Sequence, residues 1–182
     1  SNFDSLTIKD YAVTAGNDIT LSMASYASAI TIDASELDSG ENVTITGVSA
    51  KAITFTGGAG VDTVVLSSDA ATADSVTLGS GKDVITAGTN IGFDDVIDGG
   101  AGVDTITATD IADVDLQNTK NVETLTVAGT TAAAITAPFS LTASAVLGGS
   151  TLVGSAILGT GEAALEAEGK TGEYDETTAI GT

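Results

Sequence analysis

Cysteine, histidine and tryptophan are all absent from these 182 residues, and proline occurs once. Without cysteine there is no disulfide framework, no thiolate metal site and no cysteine nucleophile. Without histidine there is no Ser-His-Asp triad, no zinc-hydrolase motif and no use of the commonest general base. Aromatic residues make up 4% of the chain, too few for a bulky aromatic core or a sugar-stacking platform. Basic residues are scarce: 5 Lys and Arg stand against 25 Asp and Glu, for a net charge of −20. Such a chain repels nucleic acid and anionic membrane surfaces, so neither is expected as a partner. Divalent cations are its natural counter-charge, and solvation of an acidic surface in a saline habitat accounts for the same excess. No apolar run approaches the ~20 residues of a membrane span, so membrane insertion is not expected. No signal peptide is visible. The chain opens on Ser1, already inside a repeat-like phrase, and reads as a piece of a longer polypeptide.

What the chain does have is glycine, 22 residues of it, and the glycines are patterned. Gly57-Gly58-Ala59-Gly60-Val61-Asp62-Thr63-Val64 and Gly99-Gly100-Ala101-Gly102-Val103-Asp104-Thr105-Ile106 both fit G-G-x-G-x-D-x-U, the calcium-binding repeat of parallel β-rolls. A partial copy lies between them, Leu78-Gly79-Ser80-Gly81-Lys82-Asp83-Val84-Ile85, with Leu78 in place of the first glycine. Asp62, Asp83 and Asp104 are 21 residues apart, as are Gly60, Gly81 and Gly102, and Val64, Ile85 and Ile106. One period shared by glycine, aspartate and aliphatic positions predicts a solenoid in which each repeat is one coil. Glycine allows the sharp turn and exposes carbonyls. Aspartate adds a hard oxygen ligand suited to Ca²⁺. The aliphatic residue two places on points into a stacked core. Aspartates in a column repel one another by about 4 kcal/mol at 4 Å for an effective dielectric of ~20. Binding a cation is therefore expected to be part of folding. Tight Gly-Asp turns without any ion are the plainer reading of each motif taken singly.

Short β-branched runs at 18–21, 29–32, 43–46, 52–56, 63–66, 75–78, 83–86, 95–97 and 104–107 are bounded by Gly, Asp, Asn or Ser. They predict an all-β chain with two strands per coil, flattened, with turns at both edges. The phrase Asn2-Phe3-Asp4-Ser5-Leu6-Thr7-Ile8 is echoed at Asn121-Val122-Glu123-Thr124-Leu125-Thr126-Val127. Thr44-Ile45-Thr46 and Thr54-Phe55-Thr56 have the alternation of the outward hydroxyl ladders in ice-binding solenoids. They lie off the main period, and β-propensity accounts for them. The solenoid is placed at 1–128. Residues 129–182 are Ala/Thr/Gly-rich, then acidic, and read as a C-terminal extension or linker, with a short helical turn allowed at 162–168.

The nonapeptides, the spaced partial copy and the Asn-Val-Glu-Thr-Leu-Thr-Val phrase resemble the repeats-in-toxin (RTX) calcium-binding β-roll proteins. The closest resemblance is to their type I-secreted surface-layer branch, and it is best over 55–110. The resemblance implies Ca²⁺ held by the side chains of Asp62, Asp83 and Asp104. The remaining ligands would be carbonyls of the glycine turns at Gly58, Gly60, Gly79, Gly81, Gly100 and Gly102. Asp94, Asp95 and Asp98 match an opposite-edge half-repeat and are second-rank ligands. The period of 21 rather than nine, Leu78, and Lys82 beside Asp83 all depart from the family pattern, so a few ions are expected rather than a continuous column. The implied function is structural: a calcium-stabilised parallel β-solenoid of a secreted bacterial surface protein that assembles with copies of itself into an S-layer or extracellular filament. Contact with cell-surface polysaccharide would come through other domains. The alternative is a calcium-dependent adhesin repeat. Enzymatic use of Asp94 and Asp95 is not expected, because a Gly-rich turn explains that pair.

Overall fold

The computed structural model describes residues 3–10, 16, 18–46, 49–111 and 116–128, together with short strands at 134–136, 144–147, 151–153 and 164–166. Its elements are all β. One parallel sheet, sheet A, is built from β1 (Ser5–Thr7), β3 (Ile30–Asp33), β5 (Ile53–Thr56), β7 (Ser75–Thr77), β10 (Val96–Asp98) and β13 (Thr119–Lys120). A second, sheet B, takes the alternate strands: β2 (Ile19–Ser22), β4 (Val43–Thr46), β6 (Thr63–Val65), β9 (Val84–Gly88), β12 (Thr105–Ala108), β14 (Thr124–Val127), β16 (Ser144–Leu147) and β18 (Ala164–Glu166). The chain thus crosses from one sheet to the other and back in every coil. That is the parallel β-solenoid the period predicts, with strand positions within a residue or two of those read from the sequence. Two small sheets complete it: β8 (Ser80–Gly81) with β11 (Ala101–Gly102) at the glycine turns, and β15 (Ala134–Thr136) with β17 (Thr151–Val153).

Alternation explains why these runs are strands. In sheet B the inward positions stack Leu21, Ile45, Val64, Ile85, Ile106 and Leu125 in register. In sheet A they stack Leu6, Ile32, Phe55, Val76 and Ile97. Ile45, Val64, Ile85, Ile106 and Leu125 are fully buried, as are Ile32 and Ile97. Each such side chain contributes roughly 1.5–3 kcal/mol by leaving water. These two facing columns are the middle of an aliphatic core that Val43, Ile53, Leu66, Leu78 and Val127 extend toward the edges, and among the described residues Phe55 is its one fully buried aromatic.

The echoed phrase has an unexpected outcome. Both copies lead into a strand at the same offset, Ser5 and Thr124, yet the first strand lies in sheet A and the second in sheet B. What the phrase encodes is an acid placed immediately before a strand, and that arrangement occurs at both edges of the roll. In the extension, β16 pairs in parallel with β14 and β18 with β16. The described part of 162–168 is therefore strand where the sequence allows a helical turn.

Candidate functional site

The edge where sheet A passes into sheet B carries the glycine motifs. Gly79 and Gly100 have φ of +98° and +91°, a region that side chains rarely adopt. A Cβ at Gly79 would lie 2.2 Å from the Gly58 carbonyl oxygen, and one at Gly100 would lie 2.0 Å from that of Gly79. The turns stack backbone on backbone: Ser80 N–H donates to the Gly58 carbonyl at 2.9 Å and Ala101 N–H to the Gly79 carbonyl at 2.8 Å. Gly60 faces the Glu41 carbonyl, Gly81 the Gly60 carbonyl and Gly102 the Gly81 carbonyl at comparable closeness. Of the glycine carbonyls expected as ligands, those of Gly58, Gly60, Gly79 and Gly81 thus line the coil-to-coil seam, and those of Gly58 and Gly79 already accept a hydrogen bond there.

At the end of each turn the aspartate points inward. Asp62, Asp83 and Asp104 are 1%, 0% and 0% exposed. Their Oδ1 atoms form a ladder: Asp62 accepts from Val43 N–H at 2.8 Å, Asp83 from Asp62 N–H at 2.7 Å, and Asp104 from Asp83 N–H at 2.9 Å. Glu123 extends it by accepting from Asp104 N–H at 2.9 Å. The backbone is leaving one sheet for the other at this point and presents no carbonyl to the N–H of the coil before, so the carboxylate takes its place. A hydrogen bond to a charged group contributes about 1.5–3 kcal/mol, which is a sufficient reason for an acid at every coil.

The second carboxylate oxygens are not provided for in the same way. Asp62 Oδ2 has only a long 3.3 Å contact with Gly58 N–H. Asp83 Oδ2 and Asp104 Oδ2 are buried with no hydrogen-bond partner. Burial, and secondarily the charges of Asp104 and Asp62, push the Asp83 carboxyl up to about 7. Burial likewise raises Asp62 and Asp104, the latter helped by the charges of Glu123 and Asp98. The Oδ2 atoms sit against the glycines: a Cβ at Gly57 would meet both Asp62 Oδ2 and the Leu78 carbonyl at 2.2 Å. At Gly99 it would lie 1.8 Å from the Asn121 carbonyl oxygen and 2.9 Å from Asp104 Oδ2. Carboxylate and carbonyl oxygens therefore converge at the motif's first glycine. Leu78 occupies that slot in the middle coil with its side chain fully buried in the core. Lys82 is exposed on the outer side of its turn, as are Val61 and Val103 at the matching positions, while Asp83 is buried.

The second-rank residues go to three separate places. Asp94 is exposed. Asp98, at the end of β10, accepts from Lys120 Nζ at 2.9 Å, Asn121 Nδ2 at 2.8 Å and Gly100 N–H at 3.1 Å. Burial raises its carboxyl, but the hydrogen bonds from Asn121 and Lys120 outweigh it and leave the group below the ordinary carboxylate range. Asp95 belongs to the opposite edge, in a second ladder whose other member, Asp74, lies outside the glycine motifs. Asp74 Oδ1 accepts from Ile53 N–H at 2.9 Å, and Asp95 Oδ1 from Asp74 N–H at 2.7 Å. Here the second oxygens are engaged: Asp74 Oδ2 accepts from Ser67 N–H at 2.7 Å and Asp95 Oδ2 from Gly92 N–H at 2.8 Å. The signal for Asp74 is present in the sequence, since it too lies 21 residues before its partner and directly before a strand.

Among the described residues, no three acidic side chains converge on one point; the glycine-edge column supplies one carboxylate per coil. The donors beside Asp62 Oδ2 and Asp104 Oδ2 are all oxygen and partly anionic, and the Oδ2 atoms of Asp83 and Asp104 lack any protein donor. That chemistry fits a hard cation. No family model matches the chain, and no curated protein or solved structure matches it.

Proposed function

We propose that the chain is a calcium-stabilised structural segment of a secreted, self-assembling bacterial surface protein, with no catalytic role. The observation that carries this reading is the column of inward carboxylates whose Oδ2 atoms, at Asp83 and Asp104, are buried without partners. An unpaired buried charge is strongly destabilising, and a divalent cation supplies the missing counter-charge. Asp62, Asp83 and Asp104 would hold it, with turn carbonyls beside them. Their own role is twofold: Oδ1 closes the backbone ladder and Oδ2 remains for the ion. Self-assembly is supported by the parallel architecture, in which β1 and β2 lie at sheet edges and edge strands are templates for further pairing.

Circular dichroism during Ca²⁺ titration of chelator-treated protein tests the first half, with Mg²⁺ as control. A calcium-specific gain of β-structure is expected; an unchanged β spectrum in excess chelator would leave the turns purely structural. Electron microscopy with and without calcium tests the second half. Ordered sheets or filaments are expected, and isolated rods would favour the adhesin-repeat reading.

A further inference from the structure

Sheet B has an outer face that the 21-residue period conceals. The register places Thr20, Thr44, Thr63, Val84, Thr105 and Thr124 in one column. Two residues along the strands, Ser22, Thr46, Val65, Thr86, Thr107 and Thr126 form a second, with Val65 following Thr46 as the β4–β6 pairing continues. Every position is at least partly exposed. Ten of the twelve carry a hydroxyl, and the other two are valine, which has threonine's shape. None of the twelve is charged, in a chain with 25 acidic residues; beyond β14 the register continues the two columns with Ser144 and Ala164, and with Val146 and Glu166, so the uncharged run ends at β16. Sheet A differs, because Asp33, Asp98 and Lys120 stand in one of its outward columns. Thr105-Ile106-Thr107 and Thr124-Leu125-Thr126 join Thr44-Ile45-Thr46 here, and unequal coil lengths keep these triplets off any single period.

The geometry narrows what such a face can hold. Neighbouring strands are ~4.8 Å apart and the two columns ~6.6 Å apart along the strand. Six strands and four residues make a rectangle of about 300 Å², well below the roughly 800 Å² per partner of a stable protein interface. The face has no aromatic or arginine anchor to concentrate binding energy. A second copy of the chain is thus poorly served by it, and a sugar polymer finds no stacking platform. What matches a neutral, flat, two-dimensionally regular array of hydroxyls and methyls is a lattice of water. Each hydroxyl both donates and accepts, the χ1 angles of Thr and Val are stiff, and a face ordered in advance loses little entropy on binding. We propose that the outer face of sheet B binds ice.

The test uses the full chain, with calcium present and the fold verified by circular dichroism, in ice-recrystallisation and ice-partition assays. The expected result is that the protein suppresses recrystallisation and enters ice. The Thr86→Lys/Thr107→Lys variant should lose both properties, and Thr63→Lys should weaken them from a different coil. Thr86→Val/Thr107→Val should retain them, as should Thr54→Lys on sheet A. A folded protein that leaves ice growth unchanged overturns the proposal. So does equal loss in the sheet A variant, or concentration-dependent self-association that the sheet B lysines abolish, which would assign the face to a second copy.

Discussion

Acidifying the calcium-free protein should stabilise it, against the usual behaviour of an acidic protein whose carboxylates are paired. Asp83 titrates at about 7 in the fold against an ordinary 3.8, because burial and the neighbouring Asp104 and Asp62 charges disfavour its ionised form. A raised carboxyl means that the folded state holds its proton more tightly than the unfolded chain does. Its contribution is fully present below about pH 4 and is lost as pH rises through about 7. At about 1.4 kcal/mol per unit, the displacement amounts to about 4 kcal/mol. Asp62 and Asp104 act in the same direction. Asp33, held low mainly by Ser35, and Asp98 act oppositely, so the gain should reverse as pH falls through their range. Thermal unfolding in chelator should show Tm falling by about 10 °C between about pH 5 and pH 8. With calcium bound, proton and ion compete for the same oxygens, and the slope should invert. Asp83→Asn keeps an acceptor for Asp62 N–H but cannot ionise. It should flatten the Asp83 part of the pH profile and reduce the calcium response. A Tm in chelator that is constant or rises from pH 5 to pH 8 would refute the reasoning.

Three further outcomes are expected. Gly79→Ala or Gly100→Ala forces a side chain into a positive-φ turn and onto the carbonyl of the coil before; each should cost at least 1–3 kcal/mol, measured by urea denaturation with calcium present. Asp74→Ala removes the acceptor of both Ile53 and Ser67 N–H and should cost about 3–5 kcal/mol; Asp74→Asn should cost less, and both losses should be the same in calcium and in chelator. Ile85→Ala opens the middle of the sheet B core column and should cost about 2–5 kcal/mol, with calcium affinity falling only through the linked loss of stability.

The fold was legible because two periodicities coincide: alternation within each strand and the 21-residue spacing of Asp62, Asp83 and Asp104. Either alone is ambiguous, and together they leave a coil with two strands. What the sequence hides has one physical cause, which is that register rather than sequence distance decides which residues are neighbours. Val43 pairs at the level of Asp62 although 19 residues separate them. Thr20 pairs with Thr44 across 24. A single fixed period does not connect such pairs, and so does not reveal the threonine columns. Glu123 stands out in the sequence only as part of an echo, because its carboxylate caps a coil of a different length. Asp94, Asp95 and Asp98 share one opposite-edge half-repeat in the sequence, yet alternation and the edge turn send them to solvent, to the opposite ladder and to an ion pair.

The two edges of the roll solve one problem in different ways. At both, a strand begins with an N–H that has lost its carbonyl partner, and at both an aspartate Oδ1 replaces it. The Asp74–Asp95 edge has turns whose own N–H groups, from Ser67 and Gly92, reach the second oxygen, so its carboxylates are satisfied within the protein. On the other edge glycines bring the coils so close that carbonyl oxygens crowd the slots beside the second oxygens of Asp62 and Asp104, and the one N–H that reaches either of them, from Gly58, does so only at 3.3 Å. Acceptor then faces acceptor, and only a cation, or a proton at low pH, relieves the conflict. This division predicts an order of loss on chelation: the glycine edge should open first, while the Asp74–Asp95 edge keeps its hydrogen bonds. Hydrogen exchange in chelator should therefore show Asp62, Asp83 and Asp104 amides exchanging well before those of Ile53 and Asp74. Simultaneous exchange at both edges would mean that the roll unfolds as one unit and that the glycine edge has no separate dependence on an ion.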